Sequence, residues 1–222
     1  MSDTLDVTTK QTKHRRSQAD RSAESRARII AAARDVLCAQ GYSGATMYTI
    51  RDAAGMSLGA IQHQFPTKAN VMAALTAEIS ASVARTFAEA IRRGRTPKES
   101  MENLLDANFD RLNRPEMAAL LEISLARRND PELDREVTPS VRRFDRRVRS
   151  WIYRILRAAG VDFDETQQQC LQMLNNSMTR GLTVEFIQNP DNPVIERCVR
   201  IWKAQILDMC FGGTDRLDEK LS

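Results

Sequence analysis

Between Thr46 and Phe65 the chain sets out two hydroxyl-bearing cap residues, a glycine and a run of short polar side chains. That order suits contact with a nucleic-acid groove. Thr46 is placed to cap a short helix over Met47 to Ala54, with Ile50, Ala53 and Ala54 spaced for its inner side. Gly55 stands where the chain must reverse at positive φ. Ser57 then caps a second short helix reaching Phe65, and Pro66 ends it because its ring cannot continue the ladder. A short helix, a glycine turn and a second short helix make a helix-turn-helix. Ile61 and Phe65 fall on the inner side of the second helix, and Ser57, Leu58, Gly59, Gln62 and His63 on the outer side. A glutamine can make two hydrogen bonds to adenine in the major groove, and small residues permit close approach. The hydroxyls of Thr46 and Ser57, the helix-start amides and Lys68 suit phosphates. Tyr48 either reaches a phosphate or packs against the preceding arm. The outer face is polar but nearly uncharged, which suits base edges better than a generic solvated surface. A compact three-helix corner has the same spacing and is the competing reading.

Other chemistry finds little support. The chain has no HExxH, no glycine-rich phosphate loop, no GxSxG and no cysteine with a histidine partner, so no enzyme is expected. Asp106 and Asp110 share a helix face, which a solvated surface explains. Cys38, Cys170, Cys198 and Cys210 are scattered and lie among apolar neighbours. With only His14 and His63 beside them, they read as small buried hydrophobes rather than metal ligands. No cofactor is expected. Arg142, Arg143, Arg146, Arg147 and Arg149 read as a solvated face with local ion pairs to Asp134, Glu136 and Asp145. Neither a signal peptide nor a membrane span is visible, so a cytoplasmic protein is expected.

These residues need elements to hold them. Of the 222 residues 42% are hydrophobic, enough for a core, and helix formers recur while alternating β-branched runs are missing. The expectation is an all-α chain of about nine helices: an N-terminal three-helix head joined by a long helix to a C-terminal helical bundle. Residues 1–22 read as a flexible basic arm, 23–70 as the head, 71–213 as a ligand-binding and dimerisation bundle, and 214–222 as a tail. Ser22 or Ser25 can cap the first helix, whose stripe is Ile29, Ile30, Ala33, Val36 and Leu37, and Gly41 stops it. Lys10, Lys13, Arg15, Arg16, Arg21, Arg26, Arg28 and Arg34 oppose only Asp20 and Glu24, a local field that favours a polyanion. A long helix starts at Lys68 with Val71, Leu75, Ile79, Val83, Phe87 and Ile91 every fourth residue. Later helices are expected over 98–113, 115–129, 139–159, 163–188 and 193–211, with breaks at prolines and glycines that include Pro139.

Residues 24–72 resemble the DNA-binding domain of the tetracycline repressor (TetR) family. The resemblance rests on Gly41-Tyr42, Ala45-Thr46, Ile50, Ala54-Gly55-Met56-Ser57, Gly59-Ala60-Ile61, His63, Phe65, Lys68 and Val71. It implies that the helix from Ser57 to Phe65 enters the major groove, that Thr46 and Lys68 hold phosphates, and that Ser57, Leu58, Gly59, Gln62 and His63 face bases or adjoining backbone. Two positions depart from the family pattern. Position 62 is often tyrosine there and contacts phosphate, so Gln62 can serve base readout instead. Position 51 is usually small, so Arg51 must reach outward, or the two short helices cross more widely.

The resemblance further implies a homodimer on double-stranded operator DNA, because two heads about one helical turn apart, roughly 34–36 Å, read a two-fold site. The last two helices are apolar on several faces, from Cys170 to Phe186 and from Val194 to Cys210. They either pair with a twin chain or fill this chain's own core. A cavity for a small, largely apolar effector is implied among the middle helices, with Phe109, Met117, Leu121, Phe144, Trp151, Ile155, Met173 and Met178 as candidate lining residues. Repression relieved by a ligand is implied by resemblance alone. A non-specific DNA coater, or a helical protein that has lost DNA binding around Arg51, are the rival classes.

Overall fold

The computed structural model describes residues 18–212, and all regular structure among them is helical. The expected basic arm lies largely outside the described residues, as does the tail after 213. The helices are α1 (Gln18–Gly44), α2 (Met47–Ala54), α3 (Leu58–Gln64), α4 (Lys68–Arg93), α5 (Pro97–Phe109), α6 (Pro115–Ala126), α7 (Pro131–Ala158), α8 (Glu165–Gln188) and α9 (Val194–Phe211).

Local signals set most of the helix starts. Thr46 and Thr67 each form a reciprocal capping box, with Thr49 and Asn70. Thr96 and Asp130 cap helices that open with Pro97 and Pro131. α4 is the central strut. Its residues Val71, Leu75, Ile79, Val83 and Phe87 are buried at the expected four-residue spacing. It packs along α7 and α5 and also touches α1 and α6. The apolar core runs without interruption from Ile29 in α1 to Cys210 in α9.

Four expectations are corrected. α1 begins at Gln18, ahead of the Ser22 and Ser25 caps, so part of the arm is helical. Gly41 does break its geometry, at φ 67° and ψ −179°. Pro139 lies inside α7 rather than before it. A proline there removes one backbone hydrogen bond, but Asp130 caps the helix nine residues upstream and Leu133 and Val137, both buried, hold that segment to the core. Only Cys210 is buried; Cys38 and Cys170 are exposed and Cys198 is intermediate. Their apolar neighbours in sequence sit on other helix faces. Of the acids expected to answer the α7 arginines, Asp145 faces Arg149, but Asp134 pairs with Arg127 at 2.7 Å and Glu136 lies 3.7 Å from Arg135, neither arginine being in the expected set.

Candidate nucleic-acid interface

The turn of the head is built as the residue types require. Gly55 adopts φ 58° and ψ 43°, the left-handed region that glycine enters without strain. Its N–H and that of Met56 donate to the carbonyls of Asp52 and Arg51 at 3.2 and 3.3 Å, closing the end of α2. Arg28 then clamps the turn from α1: Nε donates to Ala54 O at 2.6 Å and Nη2 to Gly55 O at 2.8 Å. This fork is absent from the sequence reading, in which Arg28 is one cation of a basic field. Arg26 is similarly engaged, its guanidinium 4.3 Å over the Phe65 ring. No spacing signal separates such clamps from free surface cations.

α3 sits on this turn. The Ser57 hydroxyl accepts from Ala60 N at 3.2 Å, leaving its own O–H to donate outward. The Phe65 N–H closes the helix on Ile61 O at 2.8 Å. Ile61 is wholly buried and Phe65 is 2% exposed. On the other side Ser57, Gly59, Gln62 and His63 are exposed and Leu58 is half-buried. A side-chain carbon added at Gly59 would meet nothing within 4 Å, so the backbone there is open to close approach. Thr46 and Tyr48 are exposed at the start of α2, Tyr48 to 60%. The arm that Tyr48 could pack against lies outside the described residues. Arg51 reaches outward, as one of its two alternatives required: Nη2 pairs with Asp52 at 2.6 Å, and the guanidinium lies 5.4 Å from the Tyr48 ring. Ala53, expected inside, is exposed.

Lys68 is placed differently from the other sequence-derived contacts. Its Nζ donates to Tyr42 O at 2.5 Å and lies 3.5 Å from the Tyr42 ring centroid. Burial pushes its pKa below the usual lysine value. The ammonium therefore belongs to a junction that joins head to bundle. In that junction Tyr42 N donates to Glu122 Oε2 at 3.0 Å, and the Tyr42 hydroxyl donates to Asp130 Oδ2 at 2.7 Å. Asn70 adds a bond to Glu136 Oε2 at 3.1 Å. The Leu133 N–H and the Tyr42 hydroxyl hold the Asp130 carboxyl below the ordinary aspartate range. A depressed carboxyl pKa stabilises the fold above the unfolded value, about 3.9, and the contribution disappears as pH falls through the lower folded value. Tyr42→Phe should accordingly cost about 0.5–1 kcal/mol at neutral pH, near the low end because water reaches both groups. Urea titrations should show the difference shrinking to nothing in acid; a pH-independent difference would place the effect elsewhere.

The bundle holds a cavity of 170 Å³ between α4, α6, α7 and α8. Of the residues expected to line it, Met117, Leu121 and Phe144 do so. Phe109 instead packs into the core at 7% exposure. Trp151 and Ile155 line a separate groove beside the α4–α5 turn. Met173 is 69% exposed, in an outer groove between α7 and α8, and Met178 packs half-buried against the core. An apolar residue at helical spacing does not reveal which inner surface it will face. The polar lining, including Arg111, Asn108 and Thr179, was not foreseen at all.

Comparison with known proteins agrees with this geometry. Residues 29–75 match the profile of bacterial regulatory proteins of the tetR family. The chain is 27% identical to the HTH-type transcriptional regulator CymR of Pseudomonas putida over 183 residues, covering 82% of this chain and 89% of CymR. It is 32% identical to the HTH-type transcriptional repressor AcnR of Corynebacterium efficiens over 134 residues, covering 59% of this chain and 65% of AcnR. In fold it is similar to the transcriptional regulator FadR of Bacillus subtilis, solved in complex with stearoyl-CoA. That match has a TM-score of 0.67 at 16% identity and covers 84% of this chain and 98% of FadR. Residues 29–75 therefore form a helix-turn-helix head of the tetR family type, on a chain with nine helices among the described residues and with the HTH-type regulators above among its relatives.

Proposed function

We propose that the protein is a sequence-specific transcriptional repressor that binds an inverted-repeat operator as a homodimer and leaves it when a small molecule occupies the bundle. The observation that carries this reading is the two-sidedness of α3. Its inner side is locked by Ile61 and Phe65, and its outer side presents Ser57, Gly59, Gln62 and His63 exposed, with no lysine, arginine or carboxylate among them. Such a face can exchange hydrogen bonds with base edges without the bias of a fixed charge. Thr46 and Ser57 supply hydroxyls for phosphates, and Tyr48 stands beside them. Lys68 supports the junction in this reading and reaches a phosphate only by leaving Tyr42.

Release needs a path from cavity to head. α6 provides one: its start holds Met117 and its middle holds Leu121 at the cavity, while Glu122 grips the Tyr42 amide. A ligand that shifts α6 alters the anchor of the head. It acts only through a higher affinity for the released conformation. No described helix is long and apolar enough to cross a membrane, which accords with a protein that meets DNA in the cytoplasm.

Gln62→Ala and His63→Ala test the reading face. Each should lose roughly 1–3 kcal/mol of discrimination at particular base pairs while leaving non-specific affinity intact. Binding measured across a set of single-base operator variants checks this. Equal weakening on every sequence would mean that these residues touch backbone, and that the specific readout lies elsewhere.

A further inference from the structure

Arg111 is the unusual group of the bundle. It lies in the turn between α5 and α6 and is 9% exposed. No carboxylate lies within ion-pair distance of it among the described residues; the opposing charge that acts on it is Glu116, across the adjoining cleft. Its Nη2 donates to the Met117 sulfur at 3.3 Å, and its guanidinium lies 5.9 Å from the Phe87 ring. A thioether is a weak acceptor, and a buried charge without a counter-charge is costly. Burial, with Arg114 nearby, pushes the Arg111 pKa down to about 10. The side chain borders two spaces at once: the 170 Å³ cavity, and a polar cleft between α4 and α5 that opens to solvent. In the cavity Arg111 touches Phe87 and Met117 and shares the lining with apolar Leu121 and Phe144 and with polar Asn108 and Thr179. Asp145 is the one carboxylate in the lining; it faces Arg127, Arg149 and Arg180, not Arg111.

We propose that the effector of this protein is a compact organic carboxylate whose anionic group pairs with the Arg111 guanidinium while its apolar body fills the cavity. This rests on the reading of the bundle as an effector site. The guanidinium offers a fork that matches a carboxylate in a two-bond arrangement, and at a largely buried guanidinium that pairing is strong. The cavity fixes the size. An apolar cavity of about 150 Å³ holds benzene, so 170 Å³ takes a single ring or a chain of about eight carbons. An adjoining lobe of 60 Å³ leaves room for one small substituent. The polar cleft on the far side of Arg111 gives the charged end a route to water.

The test uses the full-length protein and matched pairs of probes: benzoate and benzamide, phenylacetate and phenylacetamide, octanoate and octanamide. Calorimetric titration and thermal shift are read on the wild type and on Arg111→Met, which keeps the bulk of the side chain and removes the charge. At least one acid should bind the wild type at least tenfold more tightly than its amide, and Arg111→Met should erase that preference. Without ligand, Arg111→Met should raise Tm by about 2–4 °C, because it removes a buried charge that makes no direct ion pair. The proposal is overturned if no acid binds, if acids and amides bind equally, if the variant keeps the preference, or if the variant lowers Tm. These readouts involve no DNA. Intact acid binding with no operator recognition would therefore sink the repressor reading alone, and operator recognition without acid binding would sink this one.

Discussion

Phe65→Ala should remove specific DNA binding altogether while the bundle stays folded. The ring is 2% exposed at the C-cap of α3, and Arg26 stacks 4.3 Å above it. Truncating a buried phenylalanine costs about 3–5 kcal/mol. A helix the length of α3, Leu58–Gln64, has no stability of its own, because helix nucleation is unfavourable and short helices rest on tertiary packing. Ile61 alone cannot hold it to the head. Without the ring, the outer face of Gln62 and His63 has no fixed orientation, and ordering it must be subtracted from binding. Operator affinity should fall to the non-specific level, and urea unfolding should show an early transition confined to the head. Specific affinity within tenfold of wild type would mean that α3 is positioned by something other than this core.

Ile201→Asp should separate the proposed homodimer without unfolding the chain. Ile201 is 52% exposed in the protomer, and exposed apolar side chains accompany it on α8 and α9: Leu174 at 47%, Ile187 at 55% and Val194 at 55%. These side chains stand on two helices that touch each other, and apolar exposure there suits the interface of the proposed homodimer. An aspartate within that interface would be buried without a partner, at a cost of several kcal/mol to association. The fold of the single chain loses little, since surface changes stay within about 0.5 kcal/mol. Sedimentation should report monomers, and affinity for a two-half operator should drop by about two orders of magnitude or more, since one head then binds alone. An unchanged dimer would move the interface to another face.

What could be read from the chain follows from how local each signal is. Thr46, Ser57 and Thr67 cap helices through their own hydroxyls and the backbone three residues on, so their effect is visible within a few positions. The inner residues Ile61 and Phe65 were legible because a head this small has one interior. Long-range contacts were not legible. Nothing near Arg28 announces that it will clamp the carbonyl of Gly55, 27 residues away. Nor does Lys68 announce its turn inward onto Tyr42. Both look like free cations until the fold supplies acceptors for them. In the bundle, periodicity marks which residues are inside but not whether the inside is packed or hollow. Met117, Leu121 and Phe144 therefore reach the cavity while Phe109, Trp151 and Met173 do not. Pro139 misled because a helix already capped and packed on both sides of a proline can absorb one lost hydrogen bond.

The most direct test of the central claim is to select random double-stranded DNA with the purified full-length protein and sequence what is retained. A regulator of this design should enrich an inverted repeat whose half-sites are centred about 10–10.5 base pairs apart or a multiple of that, the spacing of two heads on one face of the duplex. A folded, dimeric protein that enriches no motif, and binds all DNA with the same steep salt dependence, would contradict it.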